Sequence, residues 1–525
     1  MIRYIKKQYK LIILEVVFAL ADAALRVFLS FQMGIMTNAA VDGMGKALVL
    51  ASMLCVLSLA FSYFASIITV YYRKKITGAC IWNLKKDLYE SLSGNGVSSF
   101  HRETDSYYMN LLQNDTDIIE RDYFDSALRA VNLLTQVVLC AVALMYVNFI
   151  LFFAFTFISV GANLVSRCFK HVMQKHKSAF SSQSEQSIKN SKEFINGFDT
   201  IHYFSQQNFF IEKLLDADRT LEQKRLKRDV STAGATNGAY IINMIASIIC
   251  MAVAAYLVSI GRIRIGTLTT STQLLNFMFM PLNTAIALWL TMKSTEPLQK
   301  KIKNSLEIFP RGDKSIRSFS KIEMKHVAIG YDGEPLIKDF SCAFEEGKKY
   351  AIIGASGIGK STLARLLVAD APLLSGSVSI DGVKLADILP SDLHKKVLYV
   401  PQKVFLFDGT VIDNIGFMNH ASRAKEVAGR AQLSDELFEQ NVGSEQGIHL
   451  SGGEQIRLQV ARALMSDAAV LIFDEPTSGL DPNTAKSIEE LIVGIKNKTV
   501  IVITHNWDTK YLESFDQVIR LASTE

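Results

Sequence analysis

The stretch Gly354–Thr362, GASGIGKST, decides how this chain is read. Just ahead of it, Tyr350–Gly354 (YAIIG) is a short apolar run expected to form a strand, and just behind it LARLLVAD has a helical pattern. Strand, glycine-rich loop and helix in that order make the setting a phosphate-binding loop requires. Glycines at 354, 357 and 359 let the backbone wrap with its N–H groups inward. Ala355, Ser356 and Ile358 fill the positions between them, and the helix N-terminus faces the phosphates. Lys360 is expected to reach the β and γ phosphates of ATP and Ser361 to ligate Mg²⁺, with Thr362 closing the motif.

Further along, Ala469–Asp474 (AVLIFD) is a second apolar run, ending in the carboxylate pair Asp474–Glu475. Asp474 fits a carboxylate that organises Mg²⁺, and Glu475 one that polarises the attacking water. Phosphate loop and carboxylates belong to one α/β domain, expected over 321–525.

The rest of the chain has a different character. Across 525 residues 49% are hydrophobic and 20% charged, a mixture too apolar for an average soluble protein. The net charge of +5 is small and no long basic block occurs, so no nucleic-acid partner is expected. The cysteines (Cys55, Cys80, Cys140, Cys168, Cys250, Cys342) are scattered, without CxxC or metal-ligand spacing, and are read as free thiols. Long charge-free runs fill the first 300 residues, each near the ~20 apolar residues that cross a bilayer core. Six spans are expected, at 11–33, 47–72, 130–147, 149–167, 233–260 and 265–292, with a tight turn near Val147–Asn148.

The start, MIRYIKKQYK, is basic but no cleavage site follows it, so the first span is expected to be retained. Lys and Arg cluster before span one, after spans two and four, and before span five; the other side holds only Lys46, Arg262 and Arg264. The positive-inside rule then places both termini, the soluble domain and the loops 73–126 and 167–232 in the cytoplasm. A bacterial cytoplasmic membrane is the expected location. The loops have helix-like composition and are read as extensions of the membrane helices. Lys293–Ser320, rich in Lys and Ser with Pro297 and Pro310, is read as a connector, its linker proper at 301–320 after a membrane domain of 1–300.

Leu450–Gln455, LSGGEQ, resembles the signature of the ATP-binding-cassette (ABC) transporter family, and the other family elements follow in order. The resemblance covers about 322–520 and implies roles residue by residue. Tyr331 would stack on adenine, and Gln402 in VPQ would sense Mg²⁺ and the membrane domain. Asp481 in SGLD would lie in the loop that crosses a dimer interface, and His505 in VIVITH would contact the γ-phosphate. Leu450, Ser451, Gly452, Gly453 and Glu454 would act on ATP held by a partner's phosphate loop. The membrane half resembles the exporter branch: NLLQNDTDII (Asn110–Ile119) and NGFDTIHYF (Asn196–Phe204) resemble its two coupling regions, and VGSEQG (Val442–Gly447) its cross-linking segment with one extra residue. The implied fold is an all-α six-helix transmembrane domain with long helical extensions, followed by a P-loop ATPase domain. The segment between Ile415 and Leu450 is short, so a trimmed helical subdomain is expected, and no C-terminal helical tail.

One ATPase and six spans are half of the family's usual complement, so the resemblance implies a dimer of half-transporters. Glu475, His505 and Ser451–Gly453 are all present, which favours a homodimer or a heterodimer with two working sites. The implied function is ATP-driven transport, chiefly export of an amphipathic, lipid-like or peptide cargo. An importer on the same scaffold, or an ATP-gated channel or sensor, are the alternatives. Ionisable groups within a membrane are costly unless paired or wet. Glu15, Asp22 and Arg26 lie in span one, and Asp22 and Arg26, four apart, share a helix face. They form either a polar patch on the translocation cavity or an ion pair locking helices; Gln273, Asn276 and Asn283 of span six are read as cavity-facing or as interhelical hydrogen-bonding. No peptidase segment is expected ahead of span one.

Overall fold

A computed structural model of the chain describes residues 1–94, 96–101, 103–306, 312–316, 318–331 and 334–521. At 98, 154–174, 177, 235, 236, 239, 243, 246 and 331 it describes the backbone alone. Residues 1–90 with 105–306 form one compact unit, and 91–104 with 307–525 another.

The first unit is helical. Its elements are α1 (Ile2–Lys7), α2 (Tyr9–Val41), α3 (Gly45–Gly94), α4 (Asp105–Val147), α5 (Phe149–Asn196), α6 (Phe198–Tyr203), α7 (Gln207–Ser259), α8 (Ile265–Ser294) and α9 (Glu296–Ser305). Among the described residues four stretches are long and apolar enough to cross a membrane: Gly45–Gly94, Asp105–Val147, Tyr240–Ser259 and Ile265–Ser305. Helix α2, which contains the first expected span, is not among these four. The span placed at 149–167 falls largely on residues whose side chains lie outside those described.

The turn expected near Val147–Asn148 is made by Asn148 itself. Its backbone is extended, and its side-chain oxygen accepts hydrogen bonds from Ile150 N (2.9 Å) and Leu151 N (3.2 Å), capping the first turn of α5. Helix α8 packs along α4 and α2, while α5 and α7 run along each other. The α2–α8 crossing depends on glycine. A Cβ on Gly34 would stand 2.0 Å from Thr270 Oγ1 and 2.6 Å from the Gly266 carbonyl oxygen, so the two backbones touch. Asn38 Oδ1 accepts from Gly266 N at 2.8 Å, and Thr37 donates to Thr269 at 3.1 Å, beside that contact.

Pro281 interrupts α8. Lacking an N–H, it leaves the carbonyl of Phe277, four residues earlier, without its helical donor. Gln136 Nε2 of α4 supplies one at 3.1 Å. The expected linker is corrected at its start. Lys301–Ser305 are the last turn and a half of α9, whose Ile302 is fully buried with Tyr4, Leu84, Leu88, Leu111 and Phe124. Lys301 also pairs with Asp115 of α4 at 2.6 Å.

The second unit is α/β. Strands β1 (Lys321–Tyr331), β2 (Glu334–Glu345), β4 (Leu373–Ile380) and β5 (Val383–Lys384) form an antiparallel sheet in the order β2-β1-β4-β5. A parallel sheet runs β11-β3-β10-β9-β6, from β3 (Lys349–Ile353), β6 (Val397–Val400), β9 (Val470–Asp474), β10 (Thr499–Ile503) and β11 (Gln517–Arg520). Strands β9 and β10, VLIFD and TVIVI, are buried throughout, as a parallel sheet covered on both faces requires. Alternation sorts the side chains: Tyr350, Ile352, Ile472, Ile501 and Ile503 enter one core, and Ala351, Leu471, Phe473, Val500 and Val502 the other. A third, two-stranded ribbon pairs β7 (Gly409–Thr410) with β8 (Asn441–Val442). The segment between Ile415 and Leu450 contains one α-helix of ten residues, Ala421–Arg430. Three helices matter for the site or its flank: α10 (Lys360–Leu367), α11 (Gly452–Met465) and α12 (Pro482–Val493).

Candidate functional site

Parallel pairing aligns the strand ends, with Ile503 opposite both Ile352 and Asp474, and Val400 opposite Phe473. The residues that follow β3, β6, β9 and β10 therefore emerge at one carboxyl edge, where open α/β sheets bind ligands. These are the phosphate loop, Gln402, Glu475 and His505.

The loop after β3 turns through left-handed backbone at Gly357 (φ 80°) and Gly359 (φ 102°), and α10 starts at Lys360. A Cβ on Gly354 would stand 2.9 Å from the Leu521 carbonyl oxygen, so that glycine is held by close approach. Ala355 and Ser356 are exposed, while Ile358, Ser361 and Thr362 are half-buried. Lys360 is buried and folds back on its own loop, Nζ donating to the carbonyls of Gly354 (3.1 Å) and Ala355 (2.9 Å). Burial lowers its ammonium from the usual lysine range, with Glu475 and Asp474 pulling the other way.

Asp474 is held at both oxygens. Ser361 Oγ donates to Oδ1 at 3.0 Å and Tyr399 OH to Oδ2 at 2.6 Å. Glu475 is left-handed at φ 48°, an uncommon backbone for a residue with a side chain. Its Oε1 stands 2.9 Å from His505 Nε2, and Gln402 Nε2 donates to its Oε2 at 3.4 Å. The same His505 Nε2 lies 3.3 Å from Lys360 Nζ. The structure thus joins Lys360, Ser361, Gln402, Asp474, Glu475 and His505 in one cluster, with Gln402 on Glu475 and not on Asp474. Tyr331 ends β1, and its side chain lies outside those described. Tyr399 was not singled out in the sequence; its position immediately before the VPQ turn, with β6 beside β9, is the signal that could have found it.

The signature is built as a helix start. Ser451 caps α11, receiving Glu454 N at 3.4 Å, while Glu454 Oε2 accepts from Ser451 N at 2.7 Å and Ser451 Oγ at 2.8 Å. Leu450 is buried, and Gly452 and Gly453 let α11 pack closely: a Cβ there would meet Leu480 Cδ2 at 2.9 Å and Thr484 Cγ2 at 2.7 Å. Asp481 caps α12, accepting from Asn483 N and Thr484 N at 3.1 Å each, and bonds from Thr484 hold its carboxyl below the usual range. Among the described residues no hydrogen bond joins Leu450–Glu454 to the phosphate loop, Glu475 or His505 of the same chain.

In the first unit Arg26 Nε donates to Asp22 Oδ2 at 3.1 Å, and Ser62 of α3 donates to Asp22 Oδ1. The Arg26 guanidinium stands 5.7 Å from the Phe277 ring centre. Glu15 is buried and accepts from Asn132 at 2.8 Å. Asn276 is exposed, Gln273 and Asn283 half-buried; among the described residues none of the three makes a side-chain hydrogen bond.

A phosphate loop, an acidic strand end and a histidine at one sheet edge, in a chain with a separate unit of apolar helices, define a P-loop ATPase attached to a membrane domain. The comparisons give the family. Residues 12–282 match the family model of the ABC transporter transmembrane region and 337–478 that of the ABC transporter, and the chain belongs to the ABC transporter family. It is 31% identical over 330 residues to the lactococcin-G-processing and transport ATP-binding protein LagD of Lactococcus lactis, covering 60% of this chain and 47% of that one. It is 27% identical over 477 residues to an ATP-dependent lipid A-core flippase of Yersinia pestis, covering 85% and 79%. It is 30% identical over 339 residues to the mitochondrial iron-sulfur clusters transporter atm1 of Neurospora crassa, covering 60% and 47%. The chain thus spans about half the length of two of these relatives.

Proposed function

We propose that this chain is one half of an ATP-driven exporter, working as a dimer and moving an amphipathic, lipid-like or peptide cargo by alternating access. The observation that carries the reading is the division of labour in the ATPase unit. Lys360, Ser361, Asp474, Glu475 and His505 share one edge, while the Ser451 cap has no hydrogen bond to that edge. A signature that does not serve its own phosphate loop serves a second copy or a close relative. The names of the relatives, a lipid flippase and a bacteriocin transporter, support the cargo class. The placing of Lys and Arg supports a membrane location with both termini and the ATPase unit cytoplasmic.

Ser361 Oγ and the Asp474 carboxylate offer hard oxygens, and among the described residues no set of three His, Cys, Asp or Glu could hold a metal unaided. That donor set fits Mg²⁺, which keeps few protein ligands and completes its shell with phosphate oxygens and water. Bound there, Mg²⁺ would neutralise charge on the β and γ phosphates. Lys360 exchanges the carbonyls of Gly354 and Ala355 for phosphate oxygens when ATP enters. Glu475 takes the proton of the attacking water at Oε1 or Oε2, once its contact with His505 opens. His505 then turns its Nε2 N–H to the γ-phosphate. Coupling of binding to conformation follows when the closed ATP sandwich and the open dimer prefer different membrane-helix arrangements.

The test is a pair of cysteines, Ser356→Cys in one copy and Ser451→Cys in the other. They are expected to cross-link between copies with ATP and Mg²⁺ in the Glu475→Gln background, and much less without nucleotide. Cross-linking only within single chains, or none under any condition, overturns the shared site.

A further inference from the structure

Tyr399 lies beside the carboxylate that the proposed function assigns to Mg²⁺. Strand register explains why it reaches. Tyr399 of β6 pairs with Ile472 of β9, so Asp474, two residues on, points to the same face as a diagonal neighbour. A tyrosine is long enough to close that diagonal, and its OH donates to Asp474 Oδ2 at 2.6 Å. Ser361 donates to the other oxygen, Oδ1, at 3.0 Å. The Arg365 side chain of α10 is a further hydrogen-bond partner of the hydroxyl. A chain therefore runs from the phosphate-loop helix through Arg365 and Tyr399 to the end of β9.

Asp474 is buried at the end of a fully buried strand, where a carboxylate oxygen without a donor is costly. Leucine or phenylalanine at 399 would leave Oδ2 in that condition.

We propose that Tyr399 is a positioning residue for the ATPase reaction: by binding Oδ2 it fixes the rotation of the Asp474 carboxylate and keeps Oδ1 facing Ser361, which sets the affinity of the site for Mg²⁺. Outer partners of metal-binding groups commonly change affinity by about tenfold or more. The inference rests on Asp474 being the Mg²⁺-organising carboxylate. It predicts a metal effect separate from nucleotide binding.

The experiment uses the full chain in lipid nanodiscs with Glu475→Gln to stop turnover, reading ATP-induced thermal stabilisation in EDTA and across a Mg²⁺ titration. Tyr399→Phe is expected to raise the Mg²⁺ concentration for half-maximal effect by about tenfold, with ATP affinity in EDTA unchanged. Arg365→Met, which leaves the tyrosine ring in place, is expected to move it the same way by about twofold. An unmoved Mg²⁺ midpoint in Tyr399→Phe, or an equal loss of ATP affinity in EDTA, overturns the proposal. Asp474→Asn separates the two readings. If it abolishes the Mg²⁺ dependence while Tyr399→Phe has no effect, only the role of Tyr399 fails; if it too leaves the midpoint unmoved, the assignment of Asp474 fails with it.

Discussion

His505 Nε2 stands 2.9 Å from Glu475 Oε1 and 3.3 Å from Lys360 Nζ. One ring nitrogen faces an anion and a cation. As an N–H it donates to the carboxylate, and as a lone pair it accepts from the ammonium, but it serves only one at a time. With Gln402 on the other oxygen of Glu475, the groups that would meet the γ-phosphate satisfy one another instead. Nucleotide binding has to exchange these contacts for contacts with phosphate.

Glu475→Gln keeps the size of the side chain and its contact with Gln402 or His505, but removes the proton acceptor. ATP binding is expected to stay within a few-fold of wild type while turnover falls by about 100-fold or more. Equilibrium binding of a fluorescent ATP analogue and steady-state phosphate release measure the two. Turnover near the wild-type rate would remove Glu475 from the proton-transfer role.

Gly359 combines φ 102° with a tight flank, since a Cβ there would lie 3.2 Å from Ile337 Cδ1. Alanine at this position is expected to cost about 1–3 kcal/mol in backbone strain and to weaken ATP binding. Thermal unfolding without nucleotide checks the first effect and ATP titration the second. An unchanged midpoint would show that the loop relaxes without strain.

The nucleotide edge was legible because its chemistry is local in sequence: GASGIGKST, the Asp474–Glu475 pair and His505 each end an apolar strand. Parallel pairing then brings ends more than 100 residues apart into register. What stayed hidden depends on register between neighbouring strands or helices. Tyr399 looks like one more apolar strand residue until β6 is set beside β9. Gln136 looks like an isolated polar group until α4 meets the proline in α8. The pairing of Asp22 with Arg26 could be read from their spacing, but the bond from Ser62 of α3 could not. The linker was misplaced because Lys301–Ser305 are polar outside, while the one buried apolar residue, Ile302, gives too short a signal for a helix.

Gly34 faces Gly266 where α2 and α8 cross, with room for neither Cβ. Gly34→Leu is expected to force the helices apart, break the bond from Gly266 N to Asn38, and cost about 1–3 kcal/mol. Gly43, at a turn with open space around it, gives the control: its replacement by Asn, which tolerates left-handed backbone, should change stability by less than about 0.5 kcal/mol. Thermal unfolding in the same detergent compares them. Equal effects at both glycines would mean that the crossing carries no packing constraint.

Gln136 and Pro281 form a pair that can be tested against each other. Pro281 has no N–H, so the Phe277 carbonyl depends on Gln136 for its hydrogen bond. Gln136→Leu in the native background strands that carbonyl and is expected to cost about 1–2 kcal/mol. Pro281→Ala restores a backbone N–H four residues after Phe277, so the helix can satisfy the carbonyl itself. In that background Gln136→Leu should cost markedly less, leaving a coupling of about 1 kcal/mol between the two positions. Thermal unfolding of the wild type, both single variants and the double variant gives the coupling directly. The same loss in both backgrounds would mean that Gln136 contributes by packing alone. A positive coupling would make the proline tolerable in α8 only because α4 supplies the missing donor, fixing the two helices to one register at that point.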